Sequence, residues 1–118
     1  MTYGYARVST DGQSVGTQVD QLTRAGAEKI FREKISGTVT HRQQLKRTLD
    51  VLDEGDMLLV TRLDRLARST RDLLNTLALV AEKKAHFRSL GDSWADTTTP
   101  HGRLIITVLA GLAELNGN

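Results

Sequence analysis

The sequence predicts an α/β domain with a mostly parallel central sheet flanked by helices, and three observations carry that prediction. Short apolar or β-branched runs alternate with longer segments whose apolar residues recur at helical spacing, in the order β-α-β-α-β-α-β-α. The third run, "DMLLVTR" (56–62), is almost wholly apolar at its centre, as a strand covered on both faces of a parallel sheet must be. At 118 residues the chain suffices for one domain with a single modest core.

Each element has its own signal. Thr2–Ser9, "TYGYARVS", is rich in aromatic and β-branched residues with loose alternation, and reads as the first strand. A polar turn, "TDGQS", follows. Val15, Gln18, Val19, Leu22 and Ala25 fall at helical spacing, with Gly26 as the stop. "EKIFREKI" (28–35) is a second, more polar strand and "SGTVTH" (36–41) a loop. Leu45, Leu49 and Leu52 mark a second helix that ends before Gly55. Beyond the third strand, Ser69 with Asp72 three residues later resembles a capping box, and Leu73, Leu74, Leu77, Val80 and Ala81 form the stripe of the third helix. "AHFRSLG" (85–91) is the fourth strand and "DSWADTTTP" (92–100) a loop in which Pro100 is placed to open a helix. Leu104, Ile105, Val108, Leu109, Leu112 and Leu115 make that last helix strongly amphipathic.

Composition excludes several classes of function. With 39% apolar and 25% charged residues the chain is built to fold, not to stay disordered. The absence of Cys removes disulfides, thiolate nucleophiles and Cys-based zinc sites, and is compatible with a cytoplasmic home. No apolar run reaches the roughly 20 residues of a membrane span, and the N-terminus lacks a signal-peptide layout. His41, His86 and His101 form no HExxH pattern, so no metal site is predicted. There is no P-loop, GxGxxG or GxSxG motif. The net charge of +2 creates no global field, but 11 of the 16 basic residues are Arg, the planar donor suited to phosphate and carboxylate.

The arginines cluster where the third strand should end. "TRLDRLARS" (61–69) places Arg62, Arg65 and Arg68 at three-residue intervals, with Arg71 three later. In parallel sheets ligands gather at the carboxyl edge of the strands, which the first strand also leaves, at Ser9 to Asp11. Arg7 and Ser9 are two apart on that strand and share a face, a hydroxyl beside a guanidinium. If both strands are central, the segments meet in a dense positive pocket suited to a phosphoryl group whose charge builds in the transition state. The competing reading is a turn serine and a solvated basic face, with Asp64–Arg68 and Arg68–Asp72 as ordinary i,i+4 pairs.

Taken together, "YARVST" (5–10), "SGTVTHRQQL" (36–45), "LDRLARS" (63–69) and "GRLIITVLAGLAE" (102–114) resemble the catalytic domain of serine recombinases, the resolvase/invertase group, over nearly the whole chain. The resemblance implies residues 1–118 as one catalytic domain, in which a serine attacks a DNA phosphodiester to give a 5′-phosphoserine link and a free 3′-hydroxyl. Strand exchange and religation by four subunits follow, with no cofactor and no metal. It implies Ser9 as nucleophile and Arg7, Arg42, Asp64, Arg65 and Arg68 as its catalytic companions. Gln13 and Gln18 fall on polar residues near the phosphate, and Arg62 and Arg71 complete the expected phosphate and DNA contacts. DNA and a homo-oligomer, a dimer that becomes a tetramer in synapsis through the C-terminal helix, are the expected partners.

One departure shapes a further expectation. In the family the last helix continues into a charged stretch and then a helix-turn-helix domain, whereas here "LAELNGN" ends the sequence and Asn116 and Gly117 stand where a charged pair belongs. The expectation is that the C-terminal DNA-binding domain is absent, recombination is not autonomous, and DNA binding is weak. The alternative to an active catalytic domain is a truncated, recombination-inactive remnant acting only as a folded or oligomerisation module. An unrelated α/β phosphate-binding domain is the third reading.

Overall fold

The structure, a computed structural model, describes residues 1–9, 15–35 and 42–115, with the main chain alone at residues 8, 9, 15, 35 and 114. The described elements are β1 (Thr2–Ser9), α1 (Val15–Arg24), β2 (Lys29–Ile35), α2 (Gln43–Val51), β3 (Met57–Val60), α3 (Leu63–Leu66), α4 (Thr70–Glu82), β4 (His86–Ser89) and α5 (Pro100–Leu115). This is the expected order with one addition, the four-residue helix α3 directly after β3. The sheet is parallel throughout, in the order β2-β1-β3-β4. The two strands that had to be central for the site to assemble are therefore central and adjacent.

The pairing lengths matter. β1 runs beside β2 from Tyr3↔Lys29 to Ser9↔Ile35, but beside β3 only from Thr2↔Met57 to Tyr5↔Val60. Ala6–Ser9 thus run on past the end of β3. That strand is shorter than the apolar run suggested because the chain bends at Thr61 and enters α3 after Arg62.

The core is asymmetric about the sheet. On one face Tyr5, Phe31, Leu58, Val60 and Phe87 pack with Leu45 and Leu52 near α2, Leu77 and Val80 of α4 and Ile106 of α5. On the other, Ala6 and Leu59 meet Leu22 of α1. Leu58, Leu59 and Val60 are fully buried, and at about 1.5–3 kcal/mol per buried side chain they anchor β3 despite its shortness. α1 stops where expected, at Gly26, whose φ of +108° a side chain would oppose.

The last helix differs from a simple amphipathic element. Among its described side chains Gly102, Ile106, Ala110 and Ala113 are buried, with Ile105 and Leu109 half-buried. Leu104, Val108, Leu112 and Leu115 are 64%, 55%, 42% and 83% exposed. Small side chains let α5 lie close to α4, and much of the bulk of the apolar pattern faces outward. Among the described residues no helix is long and apolar enough to cross a membrane.

Candidate active site

The site grows from the mismatch between β1 and β3. Where β3 has ended, the main chain of Arg7 still offers an N–H and a C=O. Gln18, buried on α1, meets both: its Oε1 accepts from Arg7 N at 3.3 Å and its Nε2 donates to Arg7 O at 3.0 Å. A side-chain amide thus stands in for the missing strand, and the buried main chain is satisfied. Ser9 closes β1 opposite Ile35. Its side chain lies outside the described residues, as does Gln13.

α3 occupies the space that β3 leaves. Arg7 Nη2 donates to the carbonyl of Asp64 on α3. Arg42, from the start of α2, donates through Nη1 to the carbonyl of Leu66 at the other end of α3, at 2.7 Å, and pairs through Nη2 with Asp72 of α4. Both Arg7 and Arg42 therefore close on the same four-residue helix. Burial pulls the Arg7 guanidinium below its ordinary value, and the positive charges of Arg42, Arg65 and Arg68 pull it further, against an opposing contribution from Tyr5. Arg42, Arg65 and Arg68 thus stand within electrostatic reach of Arg7 at the carboxyl edge of β1 and β3, the topological switch point of an open parallel sheet.

The expected i,i+4 pairs do not form, although Arg62, Arg68 and Arg71 are exposed as a solvated face requires. α3 ends at Leu66, Ala67 is extended at φ −130° and ψ 150°, and α4 starts only at Thr70, so Asp64 and Arg68 share no helix. Asp64 pairs instead with Arg62 at 2.6 Å, both side chains exposed. Asp72 takes Arg42, and its Oδ2 accepts from the main-chain N–H of Arg68 at 2.9 Å. Only the local half of the expected capping box forms, with Ser69 Oγ accepting from Asp72 N at 3.1 Å. Among the described residues neither Arg65 nor Arg68 joins an ion pair. Arg71 lies in the exposed first turn of α4.

A buried acid positions Arg42. Glu33 of β2 is 6% exposed; its Oε1 accepts from Leu45 N and from the Tyr5 hydroxyl, each at 3.1 Å, and its Oε2 from Gln44 N at 3.3 Å. Arg42 is the N-cap of α2 and supplies no side-chain cap, so Glu33 satisfies the orphan N–H groups from across the sheet. Burial, followed by the charge of Glu33, pushes the Tyr5 phenol above its ordinary range. Sequence reasoning passed over Glu33. The signal was present: Phe31, Glu33 and Ile35 alternate onto one face, an acid in an inward series.

The chain matches the family described as "Resolvase, N terminal domain" over residues 2–118. It is 46% identical to a resolvase of Clostridium perfringens (strain 13 / Type A), over 98% of this chain and 63% of the relative. It is 46% identical to serine recombinase gin of Escherichia phage Mu, over 98% of this chain and 58% of the relative. It is 43% identical to DNA-invertase hin of Salmonella typhimurium, over 97% and 60%. The chain thus spans about three-fifths of the length of these relatives. In structure it is similar to the N-terminal catalytic domain of TP901-1 integrase, with a TM-score of 0.76 and 30% identity over 98% of this chain and 95% of that one. A resolvase family site-specific recombinase from Streptococcus pneumoniae gives 0.65 and 26%, over 98% and 86%.

Two outcomes follow from the site itself. An anion that relieves the arginine repulsion stabilises the fold, so inorganic phosphate at matched ionic strength raises Tm. The gain is about 0.4 kcal/mol when phosphate equals its dissociation constant, and it disappears in Arg65→Ala or Arg68→Ala. A wild-type Tm that ignores phosphate counts against an anion pocket. The raised Tyr5 phenol concerns alkaline pH. The folded state keeps the proton longer than the unfolded state, so stability is intact below the unfolded value of about 10 and falls as pH rises towards the folded one. Urea melts across that window should show a shallower loss in Tyr5→Phe than in the wild type.

Proposed function

Because the chain belongs to the resolvase family, we propose that it carries out the strand-cleavage chemistry of a serine recombinase on DNA. The observation that supports this most directly is the convergence of Arg7, Arg42, Arg65 and Arg68 beside the end of the strand that carries Ser9. In this reading Ser9 Oγ attacks a DNA phosphodiester. Its bond to phosphorus forms as the bond to the 3′ oxygen breaks, giving a 5′-phosphoserine link and a free 3′-hydroxyl. The serine loses its proton and the leaving oxygen gains one. The phosphodiester energy is retained in the phosphoserine, so a new 3′-hydroxyl can reverse the attack without ATP. No metal or cofactor enters the scheme.

The arginines supply what phosphoryl transfer needs, positioning and positive charge preorganised around a pentacoordinate phosphorus. Arg65 and Arg68 are the donors for the non-bridging oxygens. Arg7 and Arg42, tied to α3, hold that helix while adding their fields. Asp64 acts through its carbonyl on Arg7 and its carboxylate on Arg62. Gln18 keeps the end of β1 in register for Ser9, and Gln13, Arg62 and Arg71 meet the flanking DNA. Strand exchange between cleaved DNA ends, in this reading, requires more than one subunit. The outward stripe of Leu104, Val108, Leu112 and Leu115 is the face on which a second copy packs.

The chemistry is tested by trapping a covalent protein–DNA adduct on nicked duplexes of randomised sequence. Ser9→Ala should form none while keeping its fold, and an adduct that persists rejects Ser9 as nucleophile. Arg65→Ala or Arg68→Ala should slow adduct formation by roughly 100- to 1000-fold, with Lys restoring little at a bidentate site. Normal cleavage by both variants returns the arginines to a structural role. For the assembly, sedimentation should show a concentration-dependent oligomer that Val108→Glu or Leu112→Glu converts to monomer at unchanged helicity.

A further inference from the structure

α3 bears Arg65 and the carbonyl that holds Arg7, yet it has only four residues and its N-cap, Arg62, offers no side-chain cap. A helix that short does not support itself, because nucleation is unfavourable and one turn earns too few hydrogen bonds. Its first N–H must be fixed from elsewhere. Asp92, in the turn after β4, does this: its Oδ2 accepts from Leu63 N at 2.9 Å and from the hydroxyl of Ser89 at 2.7 Å. Ser89 is itself buried at the end of β4, so the carboxylate is anchored to the sheet.

The same turn is laid directly on the chain leading into α3. Leu90 N donates to Val60 O at 2.9 Å and Gly91 N to Thr61 O at 2.7 Å. A Cβ at Gly91 would lie 2.9 Å from that Thr61 oxygen and 2.9 Å from Arg62 Cγ, so only glycine permits the approach. We propose that Asp92 is a positioning residue for DNA strand cleavage: through Leu63 N–H it sets α3, and with it the guanidinium of Arg65 and the docking point of Arg7. For its chemistry the proposal rests on the recombinase reading above; its geometry does not.

The test compares the full chain with Asp92→Ala and Asp92→Asn, the latter retaining a side-chain oxygen for Leu63 N–H. Two quantities are read at a temperature where circular dichroism finds every variant folded: adduct formation on the nicked duplexes and hydrogen exchange of the Leu63 amide. Asp92→Ala should lose Leu63 protection and react roughly 100-fold more slowly, the scale of a small misplacement of catalytic groups. Asp92→Asn should recover both, which a general loss of stability would not produce. A folded Asp92→Ala that keeps wild-type protection, or reacts at the wild-type rate, overturns the proposal. If Asp92→Ala does not fold, Ser89→Ala takes its place, since it removes the carboxylate's second anchor; an unchanged rate and protection there overturn it equally. If the wild type itself forms no adduct, the recombinase reading has failed, and Leu63 exchange still decides whether Asp92 sets α3.

Discussion

Like charges held close together are the constraint around which this edge of the domain is built. Partial burial makes the charge on Arg7 costly, and Arg42, Arg65 and Arg68 each repel it. Carboxylates would be the simplest remedy, but they would cancel the positive field of the cluster. The structure mostly uses carbonyls. Arg7 is tied to the carbonyl of Asp64 and Arg42 to that of Leu66, contacts that aim a guanidinium without neutralising it. One of the four takes a carboxylate, Asp72 on Arg42, and that carboxylate is shared with the main-chain N–H of Arg68. The cluster therefore keeps net positive charge, with Arg7 and Arg42 held in fixed orientation, which is what preorganisation means in electrostatic terms.

Topology makes this possible. In a parallel sheet all strands deliver their ends to one edge, and the order β2-β1-β3-β4 puts β1 and β3 side by side there. Their unequal lengths then open a gap beside Ala6–Ser9. A third strand of equal length would have filled it with ladder hydrogen bonds. Instead the gap holds the amide of Gln18, which takes the main-chain N–H and C=O of Arg7, and α3, whose Asp64 carbonyl takes the Arg7 side chain.

Much of the frame was legible in the sequence. The apolar centre of β3, the aromatic alternation of β1 and the stop at Gly26 are local signals, and local preference agrees with tertiary structure at each. What stayed hidden depends on distant partners. α3 has no periodicity to detect in four residues, and exists because Asp92, Arg7 and Arg42 hold it from three other segments. The i,i+4 pairs read around Arg68 assumed one continuous helix, and the extended Ala67 breaks it. Asp72 looked like half of a capping box because its N–H is capped by Ser69 as expected, while its carboxylate serves the arginines. In α5 the apolar pattern was plain, but the buried side proved to be that of Ile106, Ala110 and Ala113, with Leu104, Val108, Leu112 and Leu115 outward.

Glu33 shows why a rule-breaking residue persists at such a site. A buried carboxylate is costly, and an apolar residue would pack better in isolation. The N-cap of α2 is Arg42, which makes no side-chain cap, so the position is not held by Ser, Thr, Asp or Asn. The orphan N–H groups of Gln44 and Leu45 then need an acceptor from outside the helix, and β2 supplies it opposite Arg7 in the register. The acid's cost is offset by three hydrogen bonds, one of them from a tyrosine whose phenol it helps to keep protonated. Placing one arginine correctly thus dictates a helix cap, a buried acid and its tyrosine partner, a dependence that spacing along the chain does not reveal.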